Sequence, residues 1–322
     1  MTRRASVSDY VSLARPSHWI KHIFIVPGVV LAVLLQEQTT TVAWVPIVLG
    51  FVSASLLASA NYVLNEWLDQ HSDRYHPEKR DRPAASMQTS RTIVMLEYIG
   101  LLVLGGVLAL QVSAMFAWTS VLFVFAGIAY NVPPLRTKDH AYLDVITESF
   151  NNPLRLTLGW AMVETNALPP SSLLVGYWMG GAFLMTVKRL AEFRTVVAIA
   201  GHDDLYRYRR SFRGYSEKTL LVSALLYSLL SSFFIGIFVL KYRIEYLLAV
   251  PVLALLFSVY FMLGLEDRSA AQAPERLFRE TRLLAIAGAL FALLVFLTWV
   301  DVPALHKLME PYFIELDSLR GN

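Results

Sequence analysis

The sequence contains no cysteine, which excludes disulfides and thiolate metal sites. Charge is scarce: 16% of the 322 residues are Asp, Glu, Lys or Arg, against about 25% in ordinary soluble domains. What charge there is comes in clusters, so long stretches carry none. Other signatures are missing too. No Gly-rich phosphate loop and no Ser/His/Asp arrangement stands out, and His71, His76 and His202 have no metal-ligand spacing. The basic balance, with a pI of about 9.0, does not require nucleic acid. Lys and Arg concentrated in loops beside membrane helices account for it.

What the chain has instead is apolar length. It is 56% hydrophobic, with a mean hydropathy of +0.49. The uncharged stretches approach the roughly 20 apolar residues that cross a bilayer. Soluble helices need a polar outer face, and a soluble core could not hide this much apolar helix. The pattern predicts an all-α polytopic membrane bundle of about nine helices around a central polar cavity. The spans lie near 22–36, 43–64, 92–112, 114–131, 141–163, 171–188, 219–240, 245–264 and 283–300. Ahead of them, Val7, Tyr10, Val11 and Ala14 recur at helical spacing before Pro16, Trp19 and Lys21. Residues 1–21 are expected to form an interfacial helix; the late apolar run without a small-residue cleavage site makes a poor signal peptide.

Loop charge orients the bundle. Lys and Arg occur at the N-terminus and in the second, fourth, sixth and eighth loops. They are missing from the first, third and fifth, and Lys241 and Arg243 in the seventh are the one breach. The N-terminus and two long polar loops, near 66–91 and 189–218, are therefore expected in the cytoplasm and the C-terminus outside, in a bacterial cytoplasmic membrane. Those loops follow the second and sixth spans, an offset that hints at an internal repeat.

Three polar clusters carry possible chemistry. Asn65, Asp69 and Asp73 are four apart, which on a helix stacks three oxygen donors on one stripe. That set suits Mg²⁺, or Mn²⁺, which completes its shell with water and substrate phosphate. Lys79, Arg80 and Arg82 follow, after Pro77 ends the helix, and are suited to phosphate oxygens. The plainer alternative is a solvated helix end. In the fifth span Asp144, Glu148, Asn151 and Arg155 share a face. Each charge inside a bilayer costs about 2.5–3.5 kcal/mol on insertion scales and usually lines a cavity; a Glu148–Arg155 pair locking helices is the alternative. Pro153 is expected to kink this span. Lys188, Arg189 and Glu192 end the sixth span, where an i,i+4 pair would also explain them. The run Asn131–Lys138, with Arg136 and Lys138, is a Pro-braced loop that a plain turn would explain. Together the clusters imply a polar chamber in which acids for a metal and cations for phosphates converge, and so chemistry on a phosphorylated lipid or with a diphosphate leaving group. A lipid transporter using the fifth-span stripe is a different reading; it needs no metal.

At these residues the chain resembles a known family. Asn65–Asp73 is similar to the N-D-x-x-D-x-x-x-D motif of the UbiA superfamily of intramembrane prenyltransferases, with Glu66 where Asp is usual. The extension His76–Pro83 resembles the H-P-x-K-R-x-R-P pattern of the decaprenyl-phosphate phosphoribosyltransferase branch. Lys188-Arg189-x-x-Glu192 and Arg209–Ser216 are similar to later motifs of that branch, and Arg15-Pro16-x-x-Trp19-x-Lys21 begins the likeness. By contrast Tyr130–Arg136 and Asp144 look more like a segment of prenyl-transferring members, and Asn151–Arg155 replaces a Gly-containing stretch.

The resemblance implies a single transmembrane domain over 1–322 and an enzyme that breaks a C–O bond to diphosphate. The first choice is Mg²⁺-dependent transfer of 5-phosphoribosyl from phosphoribosyl diphosphate to a polyprenyl phosphate. The alternative is transfer of a prenyl chain to an aromatic or lipid acceptor. It further implies that Asn65, Asp69 and Asp73 hold metal, with Asp69 and Asp73 catalytic. Glu66, Lys79, Arg80, Arg82, Lys188, Arg189 and Glu192 would bind diphosphate or phosphoribosyl. Tyr130, Arg136, Lys138, Asp144, Glu148 and Arg155 would form the cavity or hold the acceptor phosphate. The membrane is a partner, nucleic acid is not, and a homo-oligomer is compatible with the reading.

Overall fold

A computed structural model describes residues 5–35, 43–75, 80–266, 269–272 and 277–309. Every regular element among them is helical. A short amphipathic helix, α1 (Val7–Leu13), leads through a 3-10 segment (Pro16–Phe24) into α2 (Val26–Leu34). Then come α3 (Trp44–Asp69), the short α4 (Pro83–Ser86), α5 (Arg91–Val112) and α6 (Ala114–Asn131). The second half holds α7 (Leu143–Ser149), α8 (Asn151–Ala161), α9 (Ser171–Tyr208), α10 (Glu217–Tyr242), α11 (Val250–Leu265), α12 (Thr281–Trp299) and α13 (Pro303–Met309).

Six helical segments are long and apolar enough to cross a membrane: α3, α5, α6, α10, Ile244–Leu265 and α12. A bent pair, Val7–Ile20 with His22–Leu34, makes a seventh if taken as one span. The chain is thus an integral membrane protein. Length and apolarity by themselves support six or seven crossings; the expected count of nine also includes the split fifth segment and the first part of α9.

Side-chain size decides which helices are central. α3 turns Ser53, Ala54, Ser55, Ala58, Ser59 and Ala60 inward, small residues that let neighbouring helices close in. α5 and α10 instead expose Leu96, Ile99, Val103, Leu225, Leu229 and Phe233, an apolar surface suited to lipid. The start of α2 lies with its backbone close against that of α8. A Cβ on Gly28 would fall 1.9 Å from the Leu156 carbonyl oxygen, and one on Gly159 would fall 2.1 Å from that of Ile25. Only glycine fits at either point.

Two expectations about local structure change. α3 stops at Asp69, where Ser72 Oγ donates to its carbonyl at 3.0 Å, and Asp73 begins a separate 3-10 turn (Asp73–Tyr75). The Asn65–Asp73 stripe is therefore not one continuous helix, and the helix ends well before Pro77. The stretch expected as a loop near 189–218 is helical as far as Tyr208, with a sharp turn at Gly201 (φ 79°), a left-handed conformation that glycine adopts freely. The expected break in the fifth span is present. α7 gives way to α8 at Phe150, and Pro153 cannot donate to the carbonyl of Ser149, four residues back.

Candidate active site

A chamber of about 750 Å³ lies where the polar ends of α3, α6, α7 and α9 meet. Nine Lys or Arg side chains line it against four carboxylates. Such a chamber attracts a polyanion, and the low-dielectric walls strengthen that attraction.

One wall is the end of α3. Asn65, Asp69 and Asp73 all face the chamber, held together across the helix end by cations. Lys138 Nζ donates to Asp69 Oδ1 at 2.5 Å, Asn65 Oδ1 at 3.1 Å and Asn131 Oδ1 at 2.9 Å. Arg136 Nη2 reaches the same Asp69 oxygen at 3.1 Å, from a residue in left-handed backbone (φ 28°). Arg82 Nη1 pairs with Asp73 Oδ2 at 2.7 Å. Burial pushes the Lys138 ammonium down to about 8, with Asp69 pulling the other way. Burial would also lower Arg82, but Asp73 holds it above its ordinary value.

The facing wall is a buried ion network. Arg189 is only 1% exposed and touches three carboxylates. Its Nε meets Asp144 Oδ2 at 3.2 Å, its Nη1 meets Glu192 Oε2 at 3.2 Å, and its Nη2 bonds Glu148. Arg209 adds a second guanidinium, bonded to the Tyr130 hydroxyl and 3.6 Å from Asp144. Hydroxyls fill the remaining valences. Tyr130 donates to Glu148 and Tyr208 to Glu192, each at 2.7 Å, while Ser211 and Tyr215 donate to Asp144 at 3.0 and 2.7 Å. Paired with acids in this way, buried charges are tolerated; Arg209 Nε is the one atom of this network that is buried without a hydrogen bond.

Of the expected site residues, Asn65, Asp69, Asp73, Arg82, Tyr130, Arg136, Lys138, Glu148, Lys188 and Arg189 line the chamber. Lys79 lies outside the described residues. Arg80 is exposed and does not line it. Glu66 does not line the chamber; it is buried and paired with Arg15 of the N-terminal segment at 2.6 Å. Asp144 and Glu192 stand one layer behind the wall, as partners of Arg189 and Arg209. Arg155 is not in the chamber; it lies 5.5 Å from the Phe123 ring. A Glu148–Arg155 pair is not formed, since Glu148 is taken by Arg189. Arg194, five residues after Arg189, binds the Leu265 carbonyl at 2.7 Å and lies 3.5 Å from Glu217, and it does not line the chamber.

Arg15, His18, Tyr62, Arg207, Arg209 and Arg210 also line the chamber. The clue to Arg15 and Arg209 was their place in the motifs quoted above. Tyr62 and His18 carry no spacing signal; their rings meet edge to face at 5.2 Å, with Arg15 over Tyr62.

The wall around Asp69 has the donor chemistry of a hard divalent cation site: two carboxylates and an amide oxygen line the chamber, although Lys138 and Arg82 bond Asn65 Oδ1, Asp69 Oδ1 and Asp73 Oδ2 in this structure. Among the described residues no group of three or more His, Cys, Asp or Glu is placed to cage a metal unaided. Water and substrate phosphate would have to supply the rest.

Fold and chamber define a membrane-embedded helical bundle whose polar chamber carries more cations than carboxylates. Residues 25–287 match the UbiA prenyltransferase family, and the chain belongs to that family of intramembrane transferases. It is 30% identical to nodulation protein NoeC of Azorhizobium caulinodans over 198 residues, 61% of each chain. It is 26% identical to decaprenyl-phosphate phosphoribosyltransferase of Mycolicibacterium smegmatis over 219 residues, 66% of this chain and 64% of that one. The matches thus span less than two thirds of these relatives' own lengths. A UbiA homolog from Archaeoglobus fulgidus, bound to GPP and Mg²⁺, superposes with a TM-score of 0.68 over 91% of this chain and 100% of its own, at 19% identity.

Proposed function

We propose that this transferase moves 5-phosphoribosyl from phosphoribosyl diphosphate to a polyprenyl phosphate and releases diphosphate. The observation that carries the reading is the excess of cations in the chamber: nine against four. A prenyl diphosphate brings one diphosphate; phosphoribosyl diphosphate brings a second phosphate on ribose O5, and needs more positive charge. The wall opposite Asp69 agrees. It presents Lys188, Arg189 and Arg209 where a second pair of acids would be needed for a second metal. The acids on that side, Glu148, Asp144 and Glu192, are all taken by Arg189, and Asp203 and Asp204 do not line the chamber.

In this reading Asn65, Asp69 and Asp73 hold Mg²⁺, the ion bound by the A. fulgidus relative. Bound there, it would supply charge stabilisation for the departing diphosphate. Arg136 and Lys138 would turn from Asp69 to phosphate oxygens. Arg82, Lys188 and Arg209 would orient the donor and meet charge as it develops. The acceptor phosphate is already an anion, so no strong base is required. The membrane orientation in this reading puts the chamber at the cytoplasmic surface, where a soluble donor is available.

The second reading, prenyl transfer, is favoured by the GPP-bound relative. Purified protein incubated with labelled phosphoribosyl diphosphate and native lipid extract should place label in the lipid phase. Labelling from prenyl diphosphate alone would instead establish the second reading.

A further inference from the structure

Polar groups continue below the chamber, into the apolar part of the bundle, on three separate elements. Asn65 lines the chamber; Asn61, four residues earlier on α3, lies one turn deeper on the same face. Its Nδ2 donates to the Phe123 carbonyl at 3.4 Å, while its buried Oδ1 has no partner. Glu148 lines the chamber; Asn151 and Arg155 follow it at spacings of three and four, with Arg155 one turn into α8 and outside the chamber lining. Asn151 Oδ1 and Arg155 Nε are likewise buried without partners. His18 lines the chamber; His22, from the same 3-10 segment, is 7% exposed, and both its ring nitrogens are unpartnered. These groups are neighbours. Arg155 stacks on Phe123, whose carbonyl holds Asn61, and it lies within electrostatic reach of His22 and of Tyr177.

A buried polar atom without a partner costs about 1–3 kcal/mol, more when charged. A cation with no carboxylate partner in the interior of a membrane bundle is costlier still, and such residues mark binding pathways. Of the nine buried side-chain polar atoms without a hydrogen-bond partner among the described residues, five belong to these four side chains, His22, Asn61, Asn151 and Arg155. The other buried cations, Arg189, Arg209 and Arg82, all have acids beside them. Arg155 has none among the described residues.

We propose that Arg155, His22, Asn61 and Asn151 form a second site, beneath the diphosphate chamber, for the phosphate headgroup of the lipid acceptor. The guanidinium and an imidazole N–H donate to the anion, and the amide oxygens accept from a P–OH. The placement puts attacking and leaving groups at opposite ends of the donor. An anionic oxygen of the lipid phosphate forms the new bond to ribose C1, the C1–O bond to diphosphate breaks, and its electron pair leaves with the diphosphate toward Asp69 and Lys138. This assignment rests on the phosphoribosyl-transfer reading for its donor, but its binding site is separate from the donor's.

The test is equilibrium binding to the full chain in detergent, with farnesyl phosphate as the lipid probe and Mg²⁺-phosphoribosyl diphosphate in parallel. Farnesyl phosphate should bind, and Arg155→Gln should weaken it by about tenfold or more, the loss expected for a charge-assisted contact. Arg155→Lys should recover part of that loss, and both variants should bind phosphoribosyl diphosphate as the native chain does. Farnesol or inorganic phosphate binding as tightly as farnesyl phosphate would overturn the proposal, the latter by making the site one for free phosphate. Equal farnesyl phosphate affinity in Arg155→Gln, or an equal loss of both ligands, would also overturn it. Farnesyl phosphate binding without phosphoribosyl diphosphate binding would leave the lower site standing and remove the donor reading.

Discussion

Arg189 and Lys188 are adjacent in the chain and do different work. Arg189 is enclosed by Asp144, Glu148 and Glu192, whereas Lys188 lines the chamber, 3.9 Å from Glu148. Removing one member of a buried ion network typically costs about 3–5 kcal/mol, because the partners remain buried and uncompensated. Arg189→Gln is therefore expected to lower the thermal unfolding midpoint sharply in detergent. Lys188→Gln should leave the midpoint near the native value and weaken donor binding. At the other wall, Asp73→Asn should abolish turnover without loss of expression, and turnover of the native chain should require Mg²⁺ or Mn²⁺; full activity in excess chelator contradicts that role. Sequence spacing found the oxygen donors at 65, 69 and 73, since three polar residues near a membrane helix end stand out. It could not say that Glu66 faces Arg15, or that Arg155 falls outside the chamber lining, because those facts depend on which neighbouring helix each face meets.

Between helices, the crossing of α2 and α8 is set by Gly28 and Gly159, each against a carbonyl of the other helix. Gly159→Ala should force these helices apart at a cost of about 1–3 kcal/mol, the usual range for overpacking, seen as a lower unfolding midpoint. The displacement would be transmitted to the 3-10 segment carrying His18 and His22. Span positions were legible because runs of apolar residues are long and interrupted by charge. The helical stretch Arg189–Tyr208 was not: its polar composition reads as a loop, and its helical form depends on packing of Leu190, Phe193, Val196 and Leu205 against Phe212 and Leu220. The turn at Gly201 then lets the chain return, and Tyr208 and Arg209 complete the chamber wall.

Across the bundle, charge is sorted by end. Of the two residues that breach the loop-charge pattern, Arg243 is neutralised locally, pairing with Glu245 at 3.1 Å and with Asp301 at 2.9 Å, while Lys241 is exposed. A reporter fused after Leu168 should therefore signal from outside the cell; a cytoplasmic signal there would contradict the orientation. The all-α class and the family's fold were legible in hydropathy and the first motif, while the donor was not, because diphosphate recognition looks alike for both substrates. The most direct measurement of the donor is competition at the chamber. With Mg²⁺ present, phosphoribosyl diphosphate should bind in the micromolar to millimolar range common for enzyme substrates, and ribose 5-phosphate should displace it. Consumption of geranylgeranyl diphosphate, with no binding of phosphoribosyl diphosphate, would contradict the account.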